Sequence, residues 1–154
     1  MHHNWIQKGA IRSPIFSGQI VADLRNVIIE DWGQWGSRFE DGASGNVVGS
    51  LFALSPDAMK TGGKPHAALR FKEAGRVYVS GNAVQGKALP LIAGTSEAPI
   101  PAPPVTTFGV GEMEKVVRAR AGCLPRDAVD LAYINAASGW KVSESEPLRL
   151  PSGK

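Results

Sequence analysis

The segment Gly109-Val110-Gly111 comes closest to a nucleotide-binding turn, because it lies between a predicted strand and a predicted helix. A dinucleotide-binding turn needs a third glycine, and Glu114 stands at that position. Glu112 and Glu114 would also occupy the helix N-terminus, where they would repel a phosphate. We therefore interpret the two glycines as a tight turn and predict no nucleotide or other cofactor.

Nucleophilic or acid–base chemistry could come from three side chains. His66 could pair with Asp57, which lies nearby in the sequence. Cys123 is the single cysteine, and it follows the C-terminal end of a predicted helix, which disfavours a reactive thiolate. No serine stands in a nucleophile elbow, and no histidine or cysteine stands at metal-ligand spacing. We predict no catalytic or metal site, and a small enzyme using His66 with Asp57 or Cys123 is an alternative.

Two pairs of adjacent acids, Glu30-Asp31 and Glu40-Asp41, contain the residue type that general acid–base catalysis uses. Adjacent residues point in different directions on a helix or a strand, so these residues do not form natural carboxylate pairs. We expect a solvated surface at both positions.

A nucleic-acid-binding module is a second alternative, and it would use the basic run Lys115, Arg118 and Arg120. Four acids surround this run and balance its charge: Glu112, Glu114, Asp127 and Asp130. A nucleic-acid face needs uncompensated positive charge, and the net charge of the chain is only +3. An ion-paired helix surface is the better interpretation, so nucleic acid is disfavoured as a partner.

The tryptophans are the most unusual feature of the sequence, because three of the four lie in or near glycine-rich loops in its first quarter. Tryptophan in such a context often anchors an interface, although plain core packing is the competing interpretation. Residues 1–16 also form an apolar N-terminal arm without a regular period, and docking on its own domain or on a neighbouring subunit would bury it. The predicted interface residues are Trp5, Ile6, Ile11, Phe16, Trp32 and Trp35.

Size and composition indicate one globular domain. The chain has 154 residues, of which 43% are hydrophobic and 20% charged, so wholesale disorder is excluded. No apolar run of about 18 residues is present and the N-terminus has no signal-peptide core. We therefore expect no membrane span and residence in the cytoplasm, or in a virion assembled there.

The predicted fold class is α+β, with short antiparallel strands between about residues 47 and 110. An N-terminal helix over 17–32 is predicted from Ile20, Leu24, Val27 and Ile28 on one face, although a buried strand is also possible there. The C-terminal part carries one or two helices, at 112–121 and at 125–137, the second of which could also be a strand. We find no internal repeat on direct comparison.

The predicted organisation is an arm at 1–16, a single domain at 17–142 and a polar tail at 143–154. The apolar arm, the loop tryptophans and the stiff proline-rich connector at 98–104 favour a structural or assembly subunit of a larger particle. Phage virion accessory proteins, such as capsid-decorating, connector or tail proteins, are one such class. The expected partners are protein subunits, either further copies of this chain or other members of the assembly.

Because Glu112 and Glu114 occupy the position that a phosphate would need, we predict that NAD and ATP leave the melting temperature unchanged. A ligand that binds only the folded state must raise this temperature as its concentration rises. A thermal-shift titration measures the effect, and a concentration-dependent rise would show that the turn does bind a nucleotide.

Overall fold

The computed structural model describes residues 1–55, 67–85, 87–89, 95–121 and 126–138. Its strands are β1 (Trp5–Gln7), β2 (Ile15–Ser17), β3 (Val21–Arg25), β4 (Ile28–Glu30), β5 (Ser37–Glu40), β6 (Ser44–Val48), β7 (Leu51–Ala53), β8 (Leu69–Lys72), β9 (Val77–Ser80), β10 (Ala83–Val84), β11 (Lys87–Ala88) and β12 (Thr95–Ser96). Its helices are α1 (Val110–Arg120) and α2 (Ala128–Ser138).

The strands form three sheets that the chain visits in rotation. Sheet A has the order β12-β9-β6-β3, sheet B the order β1-β4-β7-β10-β11, and sheet C the order β2-β5-β8. Each strand pairs in parallel with the strand one full circuit away, and only β10 and β11 pair antiparallel. The architecture is therefore a parallel β-helix, a solenoid in which every circuit is one rung.

The rungs repeat with a fixed register over the first part of the chain. Trp5 is the register partner of Ile28, and Ile28 is the partner of Leu51. The next circuit is longer and runs from Leu51 to Ala83, because the connection between β7 and β8 contains extra residues. Such an insertion costs little free energy, so the strand register is the same on both sides of it.

Hydrogen bonds between rungs show the same two spacings. In the regular circuit, the side-chain amide of Asn26 donates to the carbonyl of Gly49, 23 positions further along the chain, at 2.9 Å. In the longer circuit, the backbone amide of Ser50 donates to the side-chain oxygen of Asn82, 32 positions further along, at 2.8 Å. Equivalent corners of successive rungs are therefore joined whether or not the circuit contains the insertion.

The interior of the solenoid is filled by ladders of equivalent side chains from successive rungs. Phe16, Phe39 and Phe71 form one ladder in sheet C, with ring centroids 4.8 and 6.2 Å apart. Ile29 and Phe52 continue a second ladder in sheet B, and both are fully buried. A single rung cannot bury its apolar face alone, so the core exists only because rungs stack.

The corner between sheet A and sheet B uses the same backbone conformation in every rung. Asn26, Gly49 and Gly81 occupy equivalent positions and have φ values of 49°, 59° and 63°. Glycine and asparagine tolerate this left-handed region better than other residues. The chain can therefore turn sharply from one sheet into the next, with only Asn26 and Val27 between β3 and β4.

After the last strand the chain runs back along the outside of the solenoid towards the first rung. The backbone of Ile100 exchanges two hydrogen bonds with the buried Asn46 side chain in the second rung, at 2.8 and 2.9 Å. The backbone of Phe108 exchanges two more with the buried Asn26 side chain in the first rung, at 2.7 and 2.9 Å. Helix α1 then lies across sheet B, where Met113 packs on its outer face.

The predicted α+β fold with antiparallel strands between residues 47 and 110 is wrong, because eight of the nine strand pairings among the described residues are parallel. The physical reason is the solenoid path. Apart from β10 and β11, strands adjacent in sequence enter different sheets, so the turns between them do not close hairpins. The pairing partner of each strand lies a whole rung away.

The predicted N-terminal helix over 17–32 is also wrong, because this region forms β3 and β4. Leu24 and Val27 belong to the interior core, whereas Ile28 faces outward and is buried against α1. Two short strands joined by a corner thus bury residues at a spacing that imitates one helical face. The two C-terminal helices are confirmed as α1 and α2. In the part of the chain that the structure describes, neither helix is long and apolar enough to cross a membrane.

We predict that Phe39→Ala lowers the free energy of unfolding by about 3–5 kcal/mol, because it opens a cavity between two stacked rings in the fully buried ladder. Chemical denaturation monitored by circular dichroism measures the loss. Lys72→Ala on the outer face of sheet C is the control, and it should change stability by less than about 0.5 kcal/mol. Equal effects of the two substitutions would contradict the interior ladder.

Candidate functional site

At one end of the solenoid, which we call the first-rung end, none of the named strands in the described ranges stacks on β1, β2 or β3. It is formed by β1, β2 and β3, each of which is the outermost strand of its sheet. The interior residues Ile6 and Phe16 of this rung are only partly buried, whereas their equivalents Ile29 and Phe39 one rung below are fully buried. The first-rung end therefore presents both strand edges and unfinished apolar ladders.

Exposed apolar side chains concentrate around this end. The large hydrophobic residues exposed among the described residues are Met1, Ile11, Ile20, Val21 and Val129. Four of these five lie between Met1 and Val21, and Val21 is 64% exposed at the start of β3. Terminal repeats of a solenoid normally carry a polar outer face, whereas this end carries exposed apolar side chains.

The N-terminal residues lie on and in the first rung, with residues 1–3 stacked on the end of β3 and residues 5–17 forming β1 and β2. The amide of Arg25 donates to the carbonyl of Met1 at 3.1 Å, and the amide of His3 donates to the carbonyl of Arg25 at 3.2 Å. The strands β1 and β2 pair in parallel with β4 and β5. The predicted apolar arm is thus held on its own domain, and part of it forms the first-rung end.

A buried polar cluster fixes α1 to the first two rungs. Glu30 in β4 accepts hydrogen bonds from the Trp5 indole at 2.8 Å and from the Gln7 amide at 3.0 Å. It also forms an ion pair with Arg118 of α1, whose guanidinium lies 4.7 Å from the Trp5 ring centroid. Glu114, one helical turn away, adds a second carboxylate to Arg118 at 3.0 Å.

The electrostatics of this cluster suit a structural contact better than proton transfer. Burial by itself would lower the pKa of Arg118, but the hydrogen bonds and charges of Glu30 and Glu114 outweigh burial and raise that pKa. The guanidinium therefore stays charged at every ordinary pH, and its stabilising contribution would be lost only in strong alkali, as the pH rises from its unfolded-state pKa through its folded-state pKa. We infer that the Glu30–Arg118 ion pair attaches α1 to sheet B, and we call this ion pair the latch.

A cavity of about 450 Å³ lies beside this latch, between β1 and the two helices. It is lined by Trp5, Gln7, Ala121, Arg126, Val129, Asp130 and Ile134. Arg126 donates to the carbonyls of Arg118 and Ala121 at 3.1 and 2.7 Å, so its guanidinium caps the C-terminal end of α1. The lining includes one cation and one carboxylate, and neither is paired with a nucleophile or a histidine among the described lining residues.

The six predicted interface residues occupy different environments. Trp32 is buried and packs edge-on against Phe52, with ring centroids 6.2 Å apart. Trp5 is partly buried in the latch, and Ile11 is half exposed. Ile6 and Phe16 belong to the first-rung end described above. Trp35 lies at the outer face of sheet C, beneath two arginines. Their common role at an interface stays a prediction.

Some of the other predicted functional residues lie outside the described part of the chain, and others lie in or next to α1. His66, Asp57 and Cys123, the residues of the enzyme alternative, lie outside the described residues. Gly109 precedes α1 as its N-cap, and Glu112 occupies the first turn as expected. Within the described ranges, no group of three or more metal-ligating side chains is present.

Arg118 bears on the nucleic-acid alternative. It is one of the three residues of the basic run, but it is buried in ion pairs with Glu30 and Glu114. The exposed basic face of α1 therefore contains fewer cations than the sequence indicates, because Lys115 and Arg120 are exposed and Arg118 is not.

Sequence reasoning missed Glu30, Asn26 and Asn46, all of which are buried. The expectation of a solvated Glu30-Asp31 pair is wrong for Glu30, because α1 covers it. The signal that could have revealed these residues is the rung period, which aligns Asn26 with Gly49 and Asp23 with Asn46. The longer third rung obscures that period.

Comparison of the chain with protein-family models, with curated proteins and with solved structures finds no match.

We predict that Glu30→Gln lowers the free energy of unfolding by about 3 kcal/mol, because it leaves the buried Arg118 without its main counter-charge. Urea denaturation at neutral pH measures the change. Glu112→Gln, an exposed acid on the same helix, is the matched control and should change stability by less than about 0.5 kcal/mol. A neutral result for Glu30→Gln would show that the latch contributes nothing to the attachment of α1.

Proposed function

We propose that this protein is a structural subunit that assembles with a second copy of itself through the first-rung end. The observation that carries the proposal is the position of the large exposed apolar side chains, since four of the five in the described part of the chain lie between Met1 and Val21. Burying a large apolar side chain is worth about 1.5–3 kcal/mol. An interface at this end would therefore gain from Ile11, Ile20 and Val21 together.

The strand edges at the first-rung end support the same proposal. The outermost strands β1, β2 and β3 come from three different sheets. Residues 1–3 already bond to Asp23 and Arg25 in β3, so the edges offered to a partner are those of β1, β2 and the start of β3. An unpaired strand edge is a template for pairing with another chain. A partner at this end can complete hydrogen bonds along β1 and β2 and cover Ile6 and Phe16 at the centre.

A second copy related by two-fold symmetry fits better than a head-to-tail stack. A two-fold contact uses the same end of both molecules and brings their strand edges together antiparallel, which is a favourable pairing. A head-to-tail stack needs a complementary edge at the other end. There, β10 is already covered by the antiparallel β11, and β8 is the last strand of sheet C within the described ranges, so the described edges do not lie on one rung.

The proposal specifies how the subunit associates, and the larger particle in which it would act stays a prediction, with the phage virion as the predicted setting. Among the described residues, no contact supports the enzyme alternative or the nucleic-acid alternative. A structural subunit needs a stable body and a contact surface, and the stacked rungs, the Glu30–Arg118 ion pair and the apolar first-rung end support the proposal on both points.

We predict that the wild-type chain forms a concentration-dependent dimer in sedimentation equilibrium and that Val21→Lys weakens it at least about tenfold. The substitution places a charge where Val21 would be buried, at a cost of about 1.4 kcal/mol or more. Val21 is 64% exposed, so the change should leave the folded monomer intact.

Val129→Lys is the matched control, since Val129 is also exposed, at 75%, but lies on α2. It should leave the dimer unchanged. A wild-type chain that stays monomeric up to about 1 mM, or a dimer that Val21→Lys does not weaken, would refute assembly through the first-rung end.

A further inference from the structure

The outer face of sheet C differs from the outer faces of the other two sheets. Residues 98–109 run over sheet A and α1 packs on sheet B, whereas none of the described helices or strands covers sheet C. Its outward side chains form two short ladders along the solenoid. One ladder is Ile15, Arg38 and Arg70, and the other is Ser17, Glu40 and Lys72.

Two arginines from successive rungs converge on one tryptophan at this face. The guanidinium carbons of Arg38 and Arg70 lie 4.8 and 4.7 Å from the ring centroid of Trp35. The sheet register makes Arg38 and Arg70 direct neighbours on adjacent strands. Cation–π attraction to the indole stabilises each guanidinium, and it thereby holds two like charges close together in defined positions.

The charges in this cluster do not balance. Arg38 forms an ion pair with Glu40, which neutralises one of the two arginines. No carboxylate of the described residues lies within salt-bridge distance of Arg70. In addition, the Nε–H of Arg38 is buried and has no hydrogen-bond acceptor among the described residues. A buried donor without an acceptor is rare in native proteins and costs stability unless an ion or a ligand completes it.

The geometry points to a binding site for a single oxyanion at Arg38, Trp35 and Arg70. Arg38 lies in β5, and Trp35 lies in the loop before it. A guanidinium is a planar fork of N–H donors that matches a carboxylate, sulfate or phosphate group. Arg70 would supply the uncompensated charge and the principal donors, and the Nε–H of Arg38 would gain the acceptor that it lacks. Trp35 keeps both arginines in place before the anion binds.

The surrounding charges favour one anionic group on a small ligand over an extended polyanion. Glu40, Asp41 and Glu73 lie in or beside the same strands, and they would repel the successive charges of a nucleic acid. A single oxyanion can bind at Arg70 without approaching these carboxylates in turn. The site is independent of the first-rung end, so it can exist whether or not the chain dimerises.

The test is a titration of the full chain with sodium sulfate, sodium phosphate and sodium acetate in separate arms, at ionic strength held constant with chloride. Calorimetry gives the stoichiometry, and NMR follows the Trp35 indole N–H and the arginine Nε–H resonances. We expect one-to-one saturable binding of at least one anion, with the Trp35 resonance shifting. The arm that binds most tightly identifies the oxyanion as tetrahedral or planar.

Arg70→Gln should weaken binding at least about tenfold, the change expected from losing one charged hydrogen bond of about 1.4 kcal/mol or more. Arg76→Gln, an exposed arginine on β9's side of the solenoid that contacts Ser96, is the matched control and should bind as the wild type does. Absence of saturable binding in all arms up to about 0.1 M, or equal binding by Arg70→Gln, would overturn the site. The oligomeric state, measured on the same samples, keeps this result separate from the proposed assembly.

Discussion

The stacking of one rung on the next, in a fixed register, is the constraint on which the other features of this molecule depend. The register places Phe39 between Phe16 and Phe71 and thereby makes a continuous interior from very short strands. Such short strands would not be stable in isolation. Each rung covers one side of the apolar side chains of its neighbour. A rung with a neighbour on one side only must therefore expose part of its core.

Buried polar side chains that point away from the solenoid interior determine where the C-terminal part of the chain lies. Asn46 and Asn26 offer amide groups to passing backbone, and each is satisfied by one residue of the returning segment. Glu30 then receives Arg118 from α1. A buried polar group without a partner is costly, so these contacts specify one path for a segment that has few regular hydrogen bonds of its own.

Local structure was predictable where its causes are local. Helix α1 has Glu112 in its first turn and Arg118 and Arg120 in its last, and these charges mark its ends in the sequence. The sheets were not predictable in this way, because the partner of each strand lies a whole rung away and the longer circuit hides the repeat. Leu24 and Ile28 imitated one helical face although they are buried on opposite sides of the solenoid wall.

The residues of the candidate site were predictable only in part. Tryptophan and isoleucine in the first quarter of the sequence indicated a surface, and Ile11 and Trp35 do lie there in part. Ile20 and Val21 were assigned to a helix, so their exposure at an open strand edge could not be foreseen. The pairing of Arg38 with Arg70 depends on register across the insertion and leaves no local pattern in the sequence.

The position of α1 across sheet B has a consequence for how the molecule unfolds. In a simple solenoid each repeat touches only its neighbours, so an end can fray while the rest stays folded. Here the outward residues Ile28, Leu51 and Ala83, from three successive rungs, all pack in one cluster with Met113 and Val117 of α1, and Trp5 of the first rung packs against it. The helix thus couples rungs that do not touch one another, and it turns a chain of nearest-neighbour contacts into a single cooperative unit.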